Sequence, residues 1–166
     1  MRLTFSDATS QDVEAIAALQ NSVAEALTAR YGKGHWSAAS TAKGVAHTLK
    51  HASVRIGRAG GSVVTTLRLA KKKPWAIDTG YFTAVKLPLY LTGMAVNAEH
   101  QRRGLGRLAL EDAHAVAMGW PADAIRLDAY DAEAGAGGFY EKCGYRERGR
   151  VVYRNAPLIY YELLLR

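Results

Sequence analysis

The segment Leu91-Thr92-Gly93-Met94-Ala95-Val96, followed shortly by Gln101-Arg102-Arg103-Gly104-Leu105-Gly106-Arg107, decides how this chain is read. An extended apolar run meets a basic, glycine-punctuated turn. The run Leu105-Gly106-Arg107-Leu108-Ala109-Leu110-Glu111-Asp112-Ala113-His114-Ala115-Val116-Ala117-Met118 continues from it with the composition of a helix. Glycine lacks a Cβ, so an anion can approach the backbone closely, and it tolerates positive φ. The first N–H groups of a helix have no internal acceptor, and the helix dipole places partial positive charge there. Together these features make an anion site, and Arg102, Arg103 and Arg107 add attraction for phosphate. Taken alone, the same residues also describe a tight strand-to-helix turn with solvated arginines.

Two familiar phosphate loops do not fit. The chain has no Gly-x-x-x-x-Gly-Lys-Ser/Thr, which argues against a P-loop nucleotidase. A dinucleotide fingerprint requires Gly-x-Gly-x-x-Gly after the first strand of a βαβ series. Here Gly104-x-Gly106 lies deep in the chain, and Ala109 occupies the third position.

Working outward, Leu3-Thr4-Phe5 reads as a first strand. Ser10 is the expected N-cap of a helix with Asp12 and Glu14 in its first turn. Val13, Ile16, Leu19, Val23 and Leu27 carry its helical spacing to about Arg30. Tyr31 to Trp36 breaks it, and Ser40 is the expected cap of a second helix through about His51. Residues 53–59 and 62–69 read as strands joined by Gly60-Gly61, a strong hairpin signal. A polar loop spans Lys71 to Thr83, a strand 89–96, and a helix Gly104 to Met118 ended by Trp120-Pro121. A strand follows at 124–129, then a short helix from Glu133 to Cys143 ended by Gly144. Strands at 148–154 and 158–164 close the chain. The order is a helical pair, an antiparallel meander, a β-α-β unit and a final hairpin. This predicts one α/β (α+β) domain over residues 1–166 with a mixed, mainly antiparallel sheet.

The 166 residues suffice for one core. Apolar residues make up 49% and charged residues 22%, as in ordinary soluble domains. No apolar run approaches the ~20 residues that span a bilayer, and the N-terminus lacks the apolar core of a signal peptide. The single cysteine, Cys143, makes no internal disulfide, so a reducing, cytoplasmic setting is expected. With 22 Lys plus Arg against 15 Asp plus Glu, the net charge is +7. The basic residues are scattered; the one dense run, Lys71-Lys72-Lys73-Pro74, reads as a solvated turn. No zinc-finger or RNA-binding motif accompanies it, so neither nucleic acid nor membrane is expected as a partner. His47 and His51 lie one helical turn apart, but no third ligand has supporting spacing, so no metal is expected.

The quoted turn resembles the acetyl-CoA motif of the GCN5-related N-acetyltransferase (GNAT) superfamily, Gln/Arg-x-x-Gly-x-Gly/Ala at a strand-to-helix junction. Gln101-Arg102-Arg103-Gly104-Leu105-Gly106 matches it. Downstream, Ile125-Arg126-Leu127-Asp128-Ala129 and Gly138-Phe139-Tyr140-Glu141-Lys142-Cys143-Gly144-Tyr145 look like the family's next strand and its aromatic-Tyr-Glu-Lys-x-Gly-Phe/Tyr segment. The resemblance implies a cofactor slot at a splayed strand pair, marked by a β-bulge. It implies that backbone from Arg102 through Arg107, with Gln101, holds a CoA pyrophosphate, and that the pantetheine arm pairs along Met94, Ala95 and Val96. A backbone N–H near Val96 would polarise the thioester carbonyl. Tyr140 matches the tyrosine that protonates the departing thiolate and touches its sulfur. Glu133 stands where many members carry an Asn on the pantetheine, and an ionised carboxylate cannot donate that hydrogen bond.

The implied function is acetyl transfer from acetyl-CoA to a primary amine by direct attack in a ternary complex. The acceptor is an unidentified small molecule or peptide. A non-catalytic acyl-CoA sensor on the same fold and a basic nucleic-acid-binding domain are the rival readings. Dimers are common among proteins of this appearance, which leaves a homodimer open. An amine is mostly protonated at neutral pH, so a base is needed. Asp128, Asp131, Glu133, His100 and Asp78 all remain open, His100 as a solvent-exposed loop histidine. Trp75, Tyr81, Phe82, Tyr90, Tyr153, Tyr160 and Tyr161 are open between acceptor pocket and core.

Overall fold

The computed structural model describes residues 2–166. Its elements, in order, are β1 (Leu3–Asp7), α1 (Val13–Tyr31), α2 (Ala42–Leu49), β2 (Ser53–Ala59), β3 (Ser62–Ala70), β4 (Pro88–Val96), α3 (Leu105–Gly119), β5 (Ala124–Tyr130), α4 (Gly137–Lys142), β6 (Arg146–Tyr153) and β7 (Ala156–Leu164). Among the described residues, seven strands, paired mostly antiparallel, and four α-helices give the mixed α/β class expected. The chain divides into two compact units. One holds the residues up to Leu69 and Gly93–Ala113; the other holds Ala70–Thr92 and His114–Arg166. β4 and α3 each contribute residues to both. No helix among the described residues is long and apolar enough to cross a membrane.

In the first unit, β1 pairs antiparallel with β2 from Leu3↔Ala59 to Asp7↔Arg55, and β2 pairs antiparallel with β3. Gly60 and Gly61 have φ of 57° and 86°, the pair of positive values that a tight, right-twisted hairpin requires. Strand alternation gives β2 two unlike faces. Val54 and Ile56 pack with Ile16 and Ala17 of α1 and Val45 of α2. On the other side, Arg55 grips Asp112 of α3 through Nε and Nη2, both at 2.8 Å, and reaches Asp7 at 3.0 Å.

The capping hydroxyls differ from expectation by one residue. Thr9, not Ser10, makes a capping box with Asp12, whose Oδ2 accepts from the Thr9 N–H at 2.7 Å. Ser10–Asp12 then form a 3-10 turn ahead of α1. Thr41, not Ser40, caps α2 by accepting from the Gly44 N–H at 3.0 Å. Ser40 is held instead by Asn21 of α1, to which its N–H donates at 2.7 Å. Adjacent hydroxyl residues can all cap, and the position that turns extended is selected by these contacts.

In the second unit, β4 pairs parallel with β5 over Pro88↔Ala124, Leu89↔Ile125 and Tyr90↔Arg126. The ladder ends there although β5 continues to Tyr130. β5–β7 and β6–β7 are antiparallel. Arg154 and Asn155, both at positive φ, turn β6 into β7. The loop from Lys71 to Leu87 is bolted down by buried polar groups. Tyr160 Oη donates to the Ala76 carbonyl and accepts from the Asp78 N–H at 3.1 Å. Arg126 donates to Glu162 at 3.2 Å, to Tyr90 Oη at 3.1 Å and to the Thr83 carbonyl at 2.5 Å. Glu162 also accepts from Thr83 Oγ1 at 2.7 Å. Tyr81 lies so close over Gly149 that a Cβ there would stand 2.4 Å from the ring.

Candidate acetyl-donor site

In the first unit, the strand end and turn are shaped by local bonds. Gly93, within β4, takes φ of 62°, a conformation suited to a strand bulge. Ala95 is buried; Met94 and Val96 are half-buried. The Asn97 N–H donates to the Val64 carbonyl at 2.8 Å, tying the strand end to β3. Gln101 then folds back, its Nε2 donating to the Val96 carbonyl at 3.0 Å. Gln101 therefore braces the turn against the strand.

Arg102 and Gly104 take positive φ, 64° and 79°. Arg102, Arg103, Gly104 and Arg107 are exposed, whereas Leu105 is buried and anchors the turn. The Leu108 N–H donates to the Gly104 carbonyl at 3.1 Å. The amides of Leu105, Gly106 and Arg107 thus precede the first helical donor of α3, the Leu108 N–H, and have no acceptor within the helix. A Cβ built at Gly104 meets nothing within 4 Å. Open backbone, helix amides and exposed arginines fit a pyrophosphate, so the residues present suit the CoA group. His100 departs from expectation. It is half-buried, and its Nδ1 is enclosed with no hydrogen-bond partner among the described residues.

In the second unit, Tyr140 projects from α4 and is 7% exposed. Its ring packs against Phe139 at 5.3 Å and against Tyr145 and Tyr161, both at 5.8 Å. Burial raises its phenol well above the ordinary range, and the charges of Asp128 and Cys143 push the same way. The group therefore stays protonated throughout the neutral range. Tyr161 donates to Glu141 at 3.2 Å, and burial followed by the Glu141 charge pushes it up to about 12. Gly137 lets the α4 backbone approach: a Cβ there would lie 2.9 Å from Tyr161 Oη. Tyr145, 3% exposed, carries a hydroxyl with no partner among the described residues.

The helix expected from Glu133 begins only at Gly137. Residues 133–136 form a turn in which the Gly135 N–H donates to the Ala132 carbonyl at 2.8 Å. A Cβ on Gly135 would stand 1.9 Å from the Tyr130 carbonyl oxygen. Phe82, Tyr90, Tyr160 and Tyr161 are core residues, while Trp75 is 84% exposed. Lys73 of the basic run is also structural, donating to the Ile77 carbonyl at 2.7 Å. His47 and His51 lie tilted against each other with ring centroids 4.6 Å apart, and no cluster of three potential ligands occurs among the described residues.

The family model of the acetyltransferase (GNAT) family matches residues 51–145, so the chain belongs to that family of acetyltransferases. Solved structures share the fold along nearly the whole chain. The ribosomal-protein-alanine N-acetyltransferase of Brucella melitensis is 16% identical with a TM-score of 0.75, covering 98% of this chain and 99% of that one. The putative acetyltransferase yncA of Salmonella typhimurium, solved with its cofactor acetyl-CoA, is 17% identical with a TM-score of 0.72. It covers 100% of this chain and 95% of its own. The ribosomal-protein-S18-alanine N-acetyltransferase of Escherichia coli is 17% identical with a TM-score of 0.71, covering 99% and 94%. At these identities the likeness concerns the fold. No curated protein matches the chain in sequence.

Proposed function

We propose that this chain is an acetyl-CoA-dependent N-acetyltransferase that acts on a primary amine by direct attack in a ternary complex. The observation that carries the reading is the open, positive-φ Gly104 ahead of the α3 amides, in a chain of the GNAT family. When bound, acetyl-CoA supplies a thioester carbonyl open to attack and a thiolate leaving group. The amides of Leu105, Gly106 and Arg107 hold the pyrophosphate, with Arg102 and Arg103 adding charge. The backbone of Met94, Ala95 and Val96 lines the arm. Tyr140 Oη holds a proton for the departing sulfur. Burial makes it a weak acid, but the same desolvation raises a thiolate's affinity for protons.

Release of CoA thiol from acetyl-CoA, followed across polyamines, amino acids, aminoglycosides and peptide N-termini, tests the reading. Peptide N-termini belong in the panel because ribosomal-protein-alanine N-acetyltransferases share the fold. Turnover with at least one class is expected. Acetyl-CoA binding with no turnover across the whole panel would replace the enzyme by an acyl-CoA sensor.

A further inference from the structure

Arg68 is a half-buried cation whose place is set by three elements of the first unit. On β3 it alternates with Leu67 and Leu69, both buried, so its side chain leaves the opposite face of the strand. Across the ladder it meets Val54, which packs beneath α1 and α2. Arg68 therefore lies on the α1–α2 face, and its Nη1 donates to Thr48 Oγ1 of α2 at 3.4 Å. The guanidinium also covers Gly93 of β4. A Cβ built on that glycine would stand 2.8 Å from Nε and 3.0 Å from both Cζ and Nη2. The missing side chain at 93 thus makes room for a planar cation directly before Met94. α3 lies on the other face of the sheet, where Arg55 of β2 meets Asp112.

Under the N-acetyltransferase reading above, on which this inference rests, the donor takes the α3 amides and the backbone of Met94, Ala95 and Val96. The α1–α2 face of the same strand is left for the acceptor. Burial lowers the Arg68 guanidinium from its ordinary value, because desolvation disfavours the charged form. Arginine nevertheless stays charged at neutral pH. A negative charge brought to it recovers part of that cost, and away from bulk water the attraction is stronger. A carboxylate is the best match, since its two oxygens meet the guanidinium fork side by side. With five donors, a guanidinium can hold Thr48 and a ligand together. Contact with Thr48 and Gly93 fixes the fork beforehand, so little side-chain freedom is lost when a ligand binds.

We propose that Arg68 selects the acceptor by a carboxylate, so that the amine acetylated here belongs to an amino acid or to a peptide with a carboxylate beside its N-terminal amine. Both sources share one chemistry, an anion a few bonds from a primary amine. The carboxylate is held at Gly93, and the attached amine is thereby kept near the strand end along which the donor arm lies. Arg68 acts on affinity and orientation and takes no part in proton transfer. Polyamines, which carry no anion, meet like charge at this position.

Matched pairs of acceptors test the assignment: each free amino acid against its amide, and peptides beginning with Asp against the same peptides beginning with Asn. The parent should prefer the carboxylate member of at least one pair by about tenfold or more in kcat/KM. Among the amino acids this preference runs against intrinsic reactivity, because the amide has the less protonated amine at neutral pH. A preference among free amino acids identifies a small-molecule acceptor, and one among peptides a polypeptide acceptor. Arg68→Ala should cut turnover of the preferred acceptor about 10–100-fold, mainly through KM, and of its uncharged twin less than about threefold, with acetyl-CoA affinity changed no more than that. Arg68→Lys should recover part of the loss, since it restores charge without the fork. Arg68→Gln keeps a donor for Thr48 and should behave like the alanine variant; it decides the question where alanine does not fold. Equal losses on both members of a pair, or a parent that prefers the uncharged twin throughout, would overturn the role of Arg68 and leave the N-acetyltransferase standing. A parent protein inactive toward every amine would overturn both.

Discussion

The turn from Gln101 to Arg107 and the face formed by β5, α4 and β7 are made from different parts of the chain. The turn is exposed, and what it offers a ligand is backbone: helix amides, a glycine open to solvent and two positive-φ residues. The β5–α4–β7 region offers side chains. Its tyrosines pack ring against ring, and Arg126 and Glu162 are enclosed together. A backbone site tolerates most side-chain changes, because the N–H groups remain. A side-chain site has no such reserve, since each removed group leaves a buried neighbour unpaired.

That contrast can be broken by substitution. The largest effect is expected in the side-chain region: Arg126→Ala should cost about 3–5 kcal/mol, because it removes the nearer cation from buried Glu162 and leaves it only Arg148, at 3.8 Å. Chemical denaturation measures it, and a loss below 1 kcal/mol would mean that the network carries little of the unit. Next, Tyr140→Phe should lower the transfer rate by about 10²-fold while barely altering acetyl-CoA affinity. An unchanged rate with chemistry limiting removes Tyr140 as the acid.

In the turn, Gly104→Glu should weaken acetyl-CoA binding at least tenfold by calorimetry. It adds a negative charge where phosphate is proposed and forces a side chain to φ of 79°. Gly104→Ala separates the two causes, because it carries only the backbone strain, about 1–2 kcal/mol. Equal affinities for Ala and Glu would show that charge at this position is irrelevant. Arg103→Ala should change folding stability by less than about 0.5 kcal/mol. The smallest folding effect with a named cause is Thr9→Ala, about 1 kcal/mol from loss of the cap on the turn before α1.

Legibility followed the range of the interactions. Gly60-Gly61, the strand 89–96 and the helix after Gly104 were readable because each is specified by neighbours in sequence. Their structural bounds differ from expectation by a residue or so. The caps were shifted because Thr9-Ser10 and Ser40-Thr41 each offer two hydroxyls. The start of α4 was misplaced by four residues, since alanine-rich composition suggested helix where Gly135 sits against the Tyr130 carbonyl. His100 was expected in solvent, and its enclosed Nδ1 arises from packing that sequence does not encode locally.

By itself the sequence determined the element order, the family and the place of the glycine turn ahead of α3. All three depend on short spacings: glycine at positions needing positive φ, apolar residues at strand or helix period, and two motifs in series. Tertiary structure alone decided which ionisable groups are free to act. Arg126 meets Glu162 across 36 positions of sequence and Thr83 across 43, and those bonds consume the cation nearest along β5. Asp128, half-buried on the same strand, is thereby left without that cation, because pairing depends on what the fold brings together and spacing along the chain does not report it.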